Sequence, residues 1–136
     1  MKYLIIATLC LFGHISYSQV YKMKAIDSRL EEYDKFGKDT STRDWEQSGI
    51  LVVVDLTNDK IKTYGKTPGD FDLIKLKNRY IDIQGNESAI FSAIDGEGKK
   101  CEIDLIAFKD KEATNYLNLV LKYPKMALIL RLKKDE

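Results

Sequence analysis

Short runs in which every second residue is apolar recur along this chain, and turn residues separate them. The clearest run, Ile50 to Val54, is rich in the β-branched residues that suit a pleated sheet. Strict alternation places the apolar set on a single face of a strand. Turn signals at intervals of about 8–12 residues are typical of an all-β sandwich or barrel. The pattern therefore predicts a fold built almost entirely from strands.

Sequential strands joined by tight turns are expected to pair with their neighbours in sequence. The pattern predicts roughly eight of them, drawn from segments 20–30, 49–56, 60–64, 71–76, 80–84, 88–94, 101–107, 115–122 and 126–132. The alternation slips near Ile26, and the region Asp34 to Arg43 has the composition of a loop. A meander of this size leaves two exposed edges unless it closes, so we expect a small antiparallel barrel, with a sandwich as the alternative.

The last third of the chain allows one helical alternative. Residues 111–121 include good helix formers, and a short helix at Glu112 to Tyr116 is compatible with them. The period-two spacing of Leu117, Leu119 and Leu121 favours a strand. Together the alternating sets predict an interior formed by Ile81, Ile83, Cys101, Ile103, Leu117, Leu119, Leu128 and Leu130.

The first 18 residues have the three parts of a cleavable secretory signal. Lys2 supplies the positive charge, Tyr3 to Phe12 is almost wholly apolar, and Ser16 and Ser18 are small residues placed for cleavage before Gln19. We therefore expect a signal peptide at 1–18, a single domain at 19–136, and export to the periplasm or the cell exterior.

Two other interpretations of this segment are weaker. A membrane-spanning helix needs about 20 apolar residues, and this run stops at Gly13. A lipoprotein anchored through Cys10 would need a small residue before that cysteine, where Leu9 stands. We expect no transmembrane segment once the signal is removed.

Removal of the predicted signal from the 136-residue chain leaves 118 residues with balanced charge. Lys2 is one of 22 basic residues, so 21 basic and 21 acidic residues remain. Nucleic-acid-binding proteins normally carry a basic patch or stripe. We expect no nucleic-acid partner.

The predicted signal also contains Cys10 and the single histidine, His14. The remaining domain keeps only Cys101, which excludes Ser-His-Asp and Cys-His nucleophile pairs and any histidine-based zinc site. We therefore predict a non-enzymatic protein without a cofactor. Carboxylate or tyrosine chemistry is the disfavoured alternative.

Two groups of residues are candidates for binding. Trp45, Phe91 and Cys101 are candidates for contacting a small apolar molecule inside the barrel. Equally, an indole can close one end of a core, and a buried cysteine can be an inert small hydrophobe. The tyrosines on polar phases of their strands, Tyr64, Tyr80 and Tyr116, are candidates for an interaction surface, although tyrosine is also an ordinary strand former.

Asp55, Thr57 and Asp59 imitate the alternating oxygen ligands of a calcium loop. Lys60 stands where such a loop has glycine, and the distal glutamate is missing. The same residues are common in polar hairpin turns, so we predict a turn and no metal site.

The stretch Trp45 to Tyr64 has Trp-x-x-Ser before an apolar strand, followed by an Asp-Lys-Ile-Lys return. It resembles small exported Bacteroidetes proteins of unknown function with calycin-like β-barrels, over about half of the predicted domain. The Gly-x-Trp signature of lipocalins is absent, because Arg43 and Asp44 precede Trp45. The resemblance implies a barrel that holds a small apolar ligand. The alternative function is a periplasmic or cell-surface module with a filled core that contacts an envelope protein through tyrosines and edge strands.

Overall fold

The computed structural model describes residues 20–34, 39–42, 44–66, 68–108 and 117–134. The predicted signal at 1–18, the alternative helix at Glu112 to Tyr116, and the candidate residue Tyr116 itself lie outside the described residues. Within these ranges, no helix has the length and apolar character needed to cross a membrane.

The described residues form ten strands, and all of their pairings are antiparallel. Their bounds are β1 (Val20–Tyr33), β2 (Asp39–Thr42), β3 (Glu46–Gln47), β4 (Leu51–Asp55), β5 (Lys60–Tyr64), β6 (Gly69–Ile81), β7 (Glu87–Asp95), β8 (Lys100–Ala107), β9 (Leu117–Tyr123) and β10 (Met126–Lys134). The all-β class is confirmed, as is the strand predicted over Leu117, Leu119 and Leu121.

The sheet closes into a barrel because β1 pairs along one edge with β10. Strands β4 to β10 follow one another in space as they do in sequence, so the closed barrel contains β1 and these seven strands. The barrel prediction is confirmed over the sandwich. The other edge of β1 pairs with three strands in succession: first β4, then β3, then β2. Strands β3 and β2 therefore lie beside the second half of β1, after its bulge.

The predicted phase slip near Ile26 corresponds to a bulge in β1 between Ala25 and Asp27. Before the bulge, Ala25 is buried in the core. After it, Leu30 stands opposite Leu128, whereas Asp27 stands opposite Arg131. A bulge adds one residue to one strand, which exchanges the inward and outward positions beyond it.

Apolar side chains from all eight barrel strands fill the interior as one packed cluster. Each Val, Leu, Ile, Phe or Met side chain of this cluster contributes roughly 1.5–3 kcal/mol when it is fully buried. The largest fully buried side chains are Phe91, Leu56, Ile61, Ile103, Leu105, Leu117, Leu119, Leu130, Leu132 and Val52.

The predicted break between two strands at 77–79 is wrong. Residues 69–81 form the single strand β6, which stays paired with β7 through bulges between Leu73 and Lys75 and between Leu76 and Asn78. Each bulge adds one residue to β6 and shifts the alternation of inward and outward side chains. In the sequence, this shift resembled a turn between two strands. The chain reverses later, where Gly85 N donates to Asp82 O at 3.0 Å.

The predicted interior positions of Ile81 and Ile83 are also wrong, because these side chains are 64% and 105% exposed. Strand β6 pairs with β5 only from Gly69 to Asp72 and then extends past the β4–β5 hairpin. Ile81 lies at the far end of this overhang, and Ile83 lies in the turn that follows. Alternation assigned a face to each isoleucine but carried no information about where the neighbouring strand ends.

The loop predicted over Asp34 to Arg43 is wrong at residues 39–42, which form β2. β2 pairs with Glu31 to Tyr33 of β1. This polar, Ser/Thr-rich segment forms a strand because β1 is long enough to pair with it. The strand propensity of the residues themselves does not predict such pairing.

The burial difference between two isoleucines predicted to be interior gives a direct test of this fold. We expect Ile103→Ala to lower the free energy of unfolding by about 2–5 kcal/mol, since Ile103 is fully buried. The matched control Ile83→Ala should change it by less than about 0.5 kcal/mol. Urea unfolding followed by circular dichroism measures both, and equal losses would contradict the overhang of β6.

Candidate functional site

The three candidate ligand-binding residues lie in three different places. Phe91 is completely buried and forms part of the packed interior. Cys101 is half-buried at the margin of the core, opposite Ala93. Trp45 precedes β3 and packs on the outside of the barrel. The structure therefore does not assemble these residues into one site.

Trp45 belongs to a cluster of charged groups on the outer face of β1 and β10. The guanidinium carbon of Arg131 lies 3.9 Å from the centroid of the indole, and that of Arg29 lies 5.7 Å from it. Arg131 also donates to both carboxylate oxygens of Asp27, with Nε to Oδ1 at 2.6 Å. Arg131 lies between the buried Leu130 and Leu132 in sequence, so alternation places it and the indole outside.

The two described tyrosine candidates are similarly exposed but lie far apart. Tyr64 is 48% exposed at the end of β5, and Tyr80 is 47% exposed near the end of β6. β6 begins beside Thr63, next to Tyr64, and runs away from it for the length of the strand. At about 3.3 Å per residue, the two rings lie at opposite ends of the barrel wall and do not form one surface.

Tyr80 is instead one of four exposed large apolar side chains along the overhang of β6 and in the turn that follows it. They are Ile74, Tyr80, Ile81 and Ile83, which are 53%, 47%, 64% and 105% exposed. Ile74 lies about 20 Å along the strand from the other three, and we call the set the β6 apolar end. Within the described part of the chain, β6 has no strand partner on its β5 side beyond Asp72, apart from Leu73 N donating to Asp59 O at 2.8 Å. The exposed apolar side chains thus lie on a stretch of β6 that extends past its β5 neighbour.

A second surface feature is an open groove of about 500 Å³ across the outer wall and the rim near the β9–β10 turn. We call it the lysine groove, after three of the residues that define it: Tyr33, Lys77, Lys100, Glu102, Lys122 and Tyr123. Lys77 Nζ lies 2.9 Å from Glu102 Oε2, and Lys122 stands directly opposite Glu102 on the neighbouring strand. The sequence suggested no such cluster, because the three lysines come from strands far apart in the chain.

Tyr123, at one side of the groove, donates its hydroxyl to Asp95 Oδ2 at 2.8 Å. That bond, together with backbone N–H donors of the turn, lowers the pKa of Asp95. Burial, reinforced by the bond to Asp95, raises the pKa of Tyr123. Burial likewise raises the pKa of the Cys101 thiol, so the nucleophilic thiolate is scarce at neutral pH.

Asp104 is the most unfavourably placed carboxylate of the outer wall. Its Oδ1 is buried without a hydrogen-bond partner. Burial raises its pKa, and the charge of Glu102 raises it further, while Lys122 and Lys77 oppose the shift. Ionised Asp104 therefore costs the folded protein stability.

The residues compared with a calcium loop form a turn. Asp55 Oδ1 accepts hydrogen bonds from the backbone N–H groups of Thr57 at 3.1 Å and Asn58 at 3.2 Å. In the part of the chain that the structure describes, no three His, Cys, Asp or Glu side chains are grouped to hold a metal ion.

Comparison with known proteins adds no relative to this description. No protein-family model, no curated protein and no solved structure matches the chain. The class defined by the structure itself is an all-β protein with an antiparallel barrel of eight strands, and its surface features have to be interpreted from their own chemistry.

The stacked ion pair of Arg131 makes a first prediction about the outer wall. We expect Arg131→Lys to lower the free energy of unfolding by about 1–2 kcal/mol, because lysine cannot bind Asp27 with two donors while stacking on Trp45. Arg79→Lys is the matched control, since Arg79 reaches Glu87 through one nitrogen at 3.1 Å. Thermal unfolding compares them, and equal effects would contradict the stacking.

Asp104 makes a second prediction, which depends on pH. The folded-state pKa is raised, so the cost of the ionised form is present above that pKa and disappears as pH falls through it. We expect Asp104→Asn to stabilise the protein by about 1 kcal/mol at pH 7, with the gain shrinking in acid. The exposed Asp44→Asn controls for the loss of one charge, and urea titrations at about pH 7 and at acid pH measure the difference. A gain that grew in acid would contradict this account.

Proposed function

We propose that this protein is an exported, non-enzymatic binding protein that contacts an envelope protein through the β6 apolar end. The observation that carries this proposal is the exposure of four large apolar side chains on one overhanging strand and its turn. Apolar groups grouped on a surface favour association, whereas single exposed residues need no explanation. The interaction partner in this proposal is a protein, and the contact lies on the outer wall.

The packed interior is the reason for preferring the outer wall to the inside of the barrel. An eight-stranded barrel can be filled by side chains or can hold one small ligand. Here the interior side chains form one cluster, and Phe91, a candidate for ligand contact, is fully buried within it. A small apolar ligand would have to displace side chains that already pack against each other.

The exposed side chains of β6 suggest the form of the contact. Beyond Asp72 this strand extends past β5, and the large apolar side chains along it are exposed. An extended segment of another protein can lie along the strand, with side-chain contacts giving specificity. The flanking Ile74 and Ile81 would supply the apolar contacts.

Charge on this edge indicates which segment fits. Residues 73–81 read Leu-Ile-Lys-Leu-Lys-Asn-Arg-Tyr-Ile, with three cations and no acid; Lys77 pairs with Glu102 of β8 and Arg79 with Glu87 of β7. Pairing of two copies of this edge would bring like charges together, which is destabilising. We therefore propose a different protein as the partner, with an extended segment that alternates acidic and apolar residues.

A non-enzymatic role is supported by the sparse chemistry of the domain. No histidine occurs after residue 14, and Cys101 is the one cysteine in the same part of the sequence. The raised pKa of the Cys101 thiol also makes it a poor nucleophile.

The test uses two labelled synthetic peptides, one alternating Val with Asp and one alternating Val with Lys. We expect the acidic peptide to bind residues 19–136 and the basic peptide to bind at least about tenfold more weakly, as measured by fluorescence anisotropy. Amide NMR shifts on binding should concentrate at residues 73–83.

Two tyrosines of equal exposure provide the matched variants. Tyr80→Ser should weaken binding of the acidic peptide by at least about fivefold, because hot-spot contacts are concentrated in aromatic residues. Tyr64→Ser should leave the affinity unchanged. Equal effects of the two substitutions, or equal binding of both peptides, would overturn the proposal.

A further inference from the structure

The lysine groove is a second surface feature; it shares Lys77 with residues 73–81 of β6, and its other charged residues lie on β8 and β9. We infer that it is a binding site for a small ring-shaped molecule that carries a phosphate or sulfate ester. Its volume, about 500 Å³, falls within the range of roughly 300–1,000 Å³ found for small-molecule sites. It also differs from an apolar pocket in being lined by three cations.

The barrel register brings these cations together. Lys100 and Glu102 are two residues apart on β8 and therefore share its outward face. Lys122 stands opposite Glu102 on β9, and Lys77 reaches Glu102 from β6 across β7. Three lysines thus surround Glu102, and Asp104, the next outward residue on β8, also interacts with the charges of Lys122 and Lys77.

The charge of the groove favours an anion. Glu102 and the adjacent Asp104 balance two of the three lysines, which leaves a net charge of about +1 at the groove. Lys100 and Lys122 are both exposed, so a ligand can reach their ammonium groups. A phosphate or sulfate group matches such point charges and accepts several charge-assisted hydrogen bonds.

Two tyrosines that line the groove can contact the uncharged ring of a ligand, and hydrogen bonds hold both of them in place. Tyr33 donates its hydroxyl to Glu31 Oε2 at 2.7 Å, and Tyr123 donates to Asp95 Oδ2 at 2.8 Å. These bonds restrict both rings, so little side-chain entropy is lost when a ligand packs against them. Tyrosine rings supply flat apolar area, which suits the ring of a sugar or a similar compact body.

The experiment compares three ligands that differ in one group: glucose 6-phosphate, glucose 6-sulfate and glucose. Residues 19–136 are titrated at low salt and followed by amide NMR. We expect at least one charged sugar to bind at least about tenfold more tightly than glucose, with shifts at β8 and β9. Whichever ester binds more tightly identifies the phosphate or the sulfate source, and either result supports the site.

Charge-matched variants separate this groove from a general effect of net charge. Lys100→Gln with Lys122→Gln should weaken binding at least about tenfold, whereas Lys22→Gln with Lys24→Gln, which removes the same charge from exposed positions of β1, should change it less than twofold. Glu102→Gln should strengthen binding about threefold, a gain that unfolding cannot produce.

Cys101, which lines the groove, supplies a readout that does not depend on NMR. Saturating charged sugar should slow alkylation of its thiol, while glucose should not. Equal weakening by the two lysine pairs, equal binding of glucose and both esters, or no binding of any of the three would overturn the inference.

Discussion

The antiparallel pairing of β1 with β10 is the interaction on which the rest of the structure depends. It runs from Met23 to Glu32 of β1 and converts an open meander into a closed barrel. Closure also fixes the interior, because only then do the alternating apolar faces of all eight strands point at one another. The bulge between Ala25 and Asp27 keeps this pairing compatible with a core on one side and the Arg131–Asp27 ion pair on the other.

Closure with strands of unequal length has a second consequence, on the outside. β6 is 13 residues long and β5 only 5, so part of β6 extends beyond its neighbour. This stagger produces the β6 apolar end, while the register across β6, β8 and β9 gathers the lysines of the groove. These outer features are the places where we propose that the protein contacts other molecules.

Much of the fold was predictable because its signals are local. Three examples depend only on neighbouring residues in the chain. They are the strand with Leu117, Leu119 and Leu121 on one face, the phase slip at Ile26, and the turn after Asp95. The candidate site was much less predictable. Trp45, a candidate for a place at the core, stacks on arginines from β1 and β10, and the lysine groove combines residues from five strands and a turn. Such juxtapositions depend on barrel register, to which a single sequence gives no access.

The sequence by itself determined the all-β class, the strand faces and the sparse chemistry of the domain, because alternation and composition are properties of the chain. Only the tertiary structure decided which apolar residues are core. Ile103 and Ile83 have the same side chain and both lie in apolar patterns, yet one is fully buried and the other 105% exposed. The physical reason is that burial requires a neighbouring strand, and where each neighbour ends is set by the closure and stagger of the barrel.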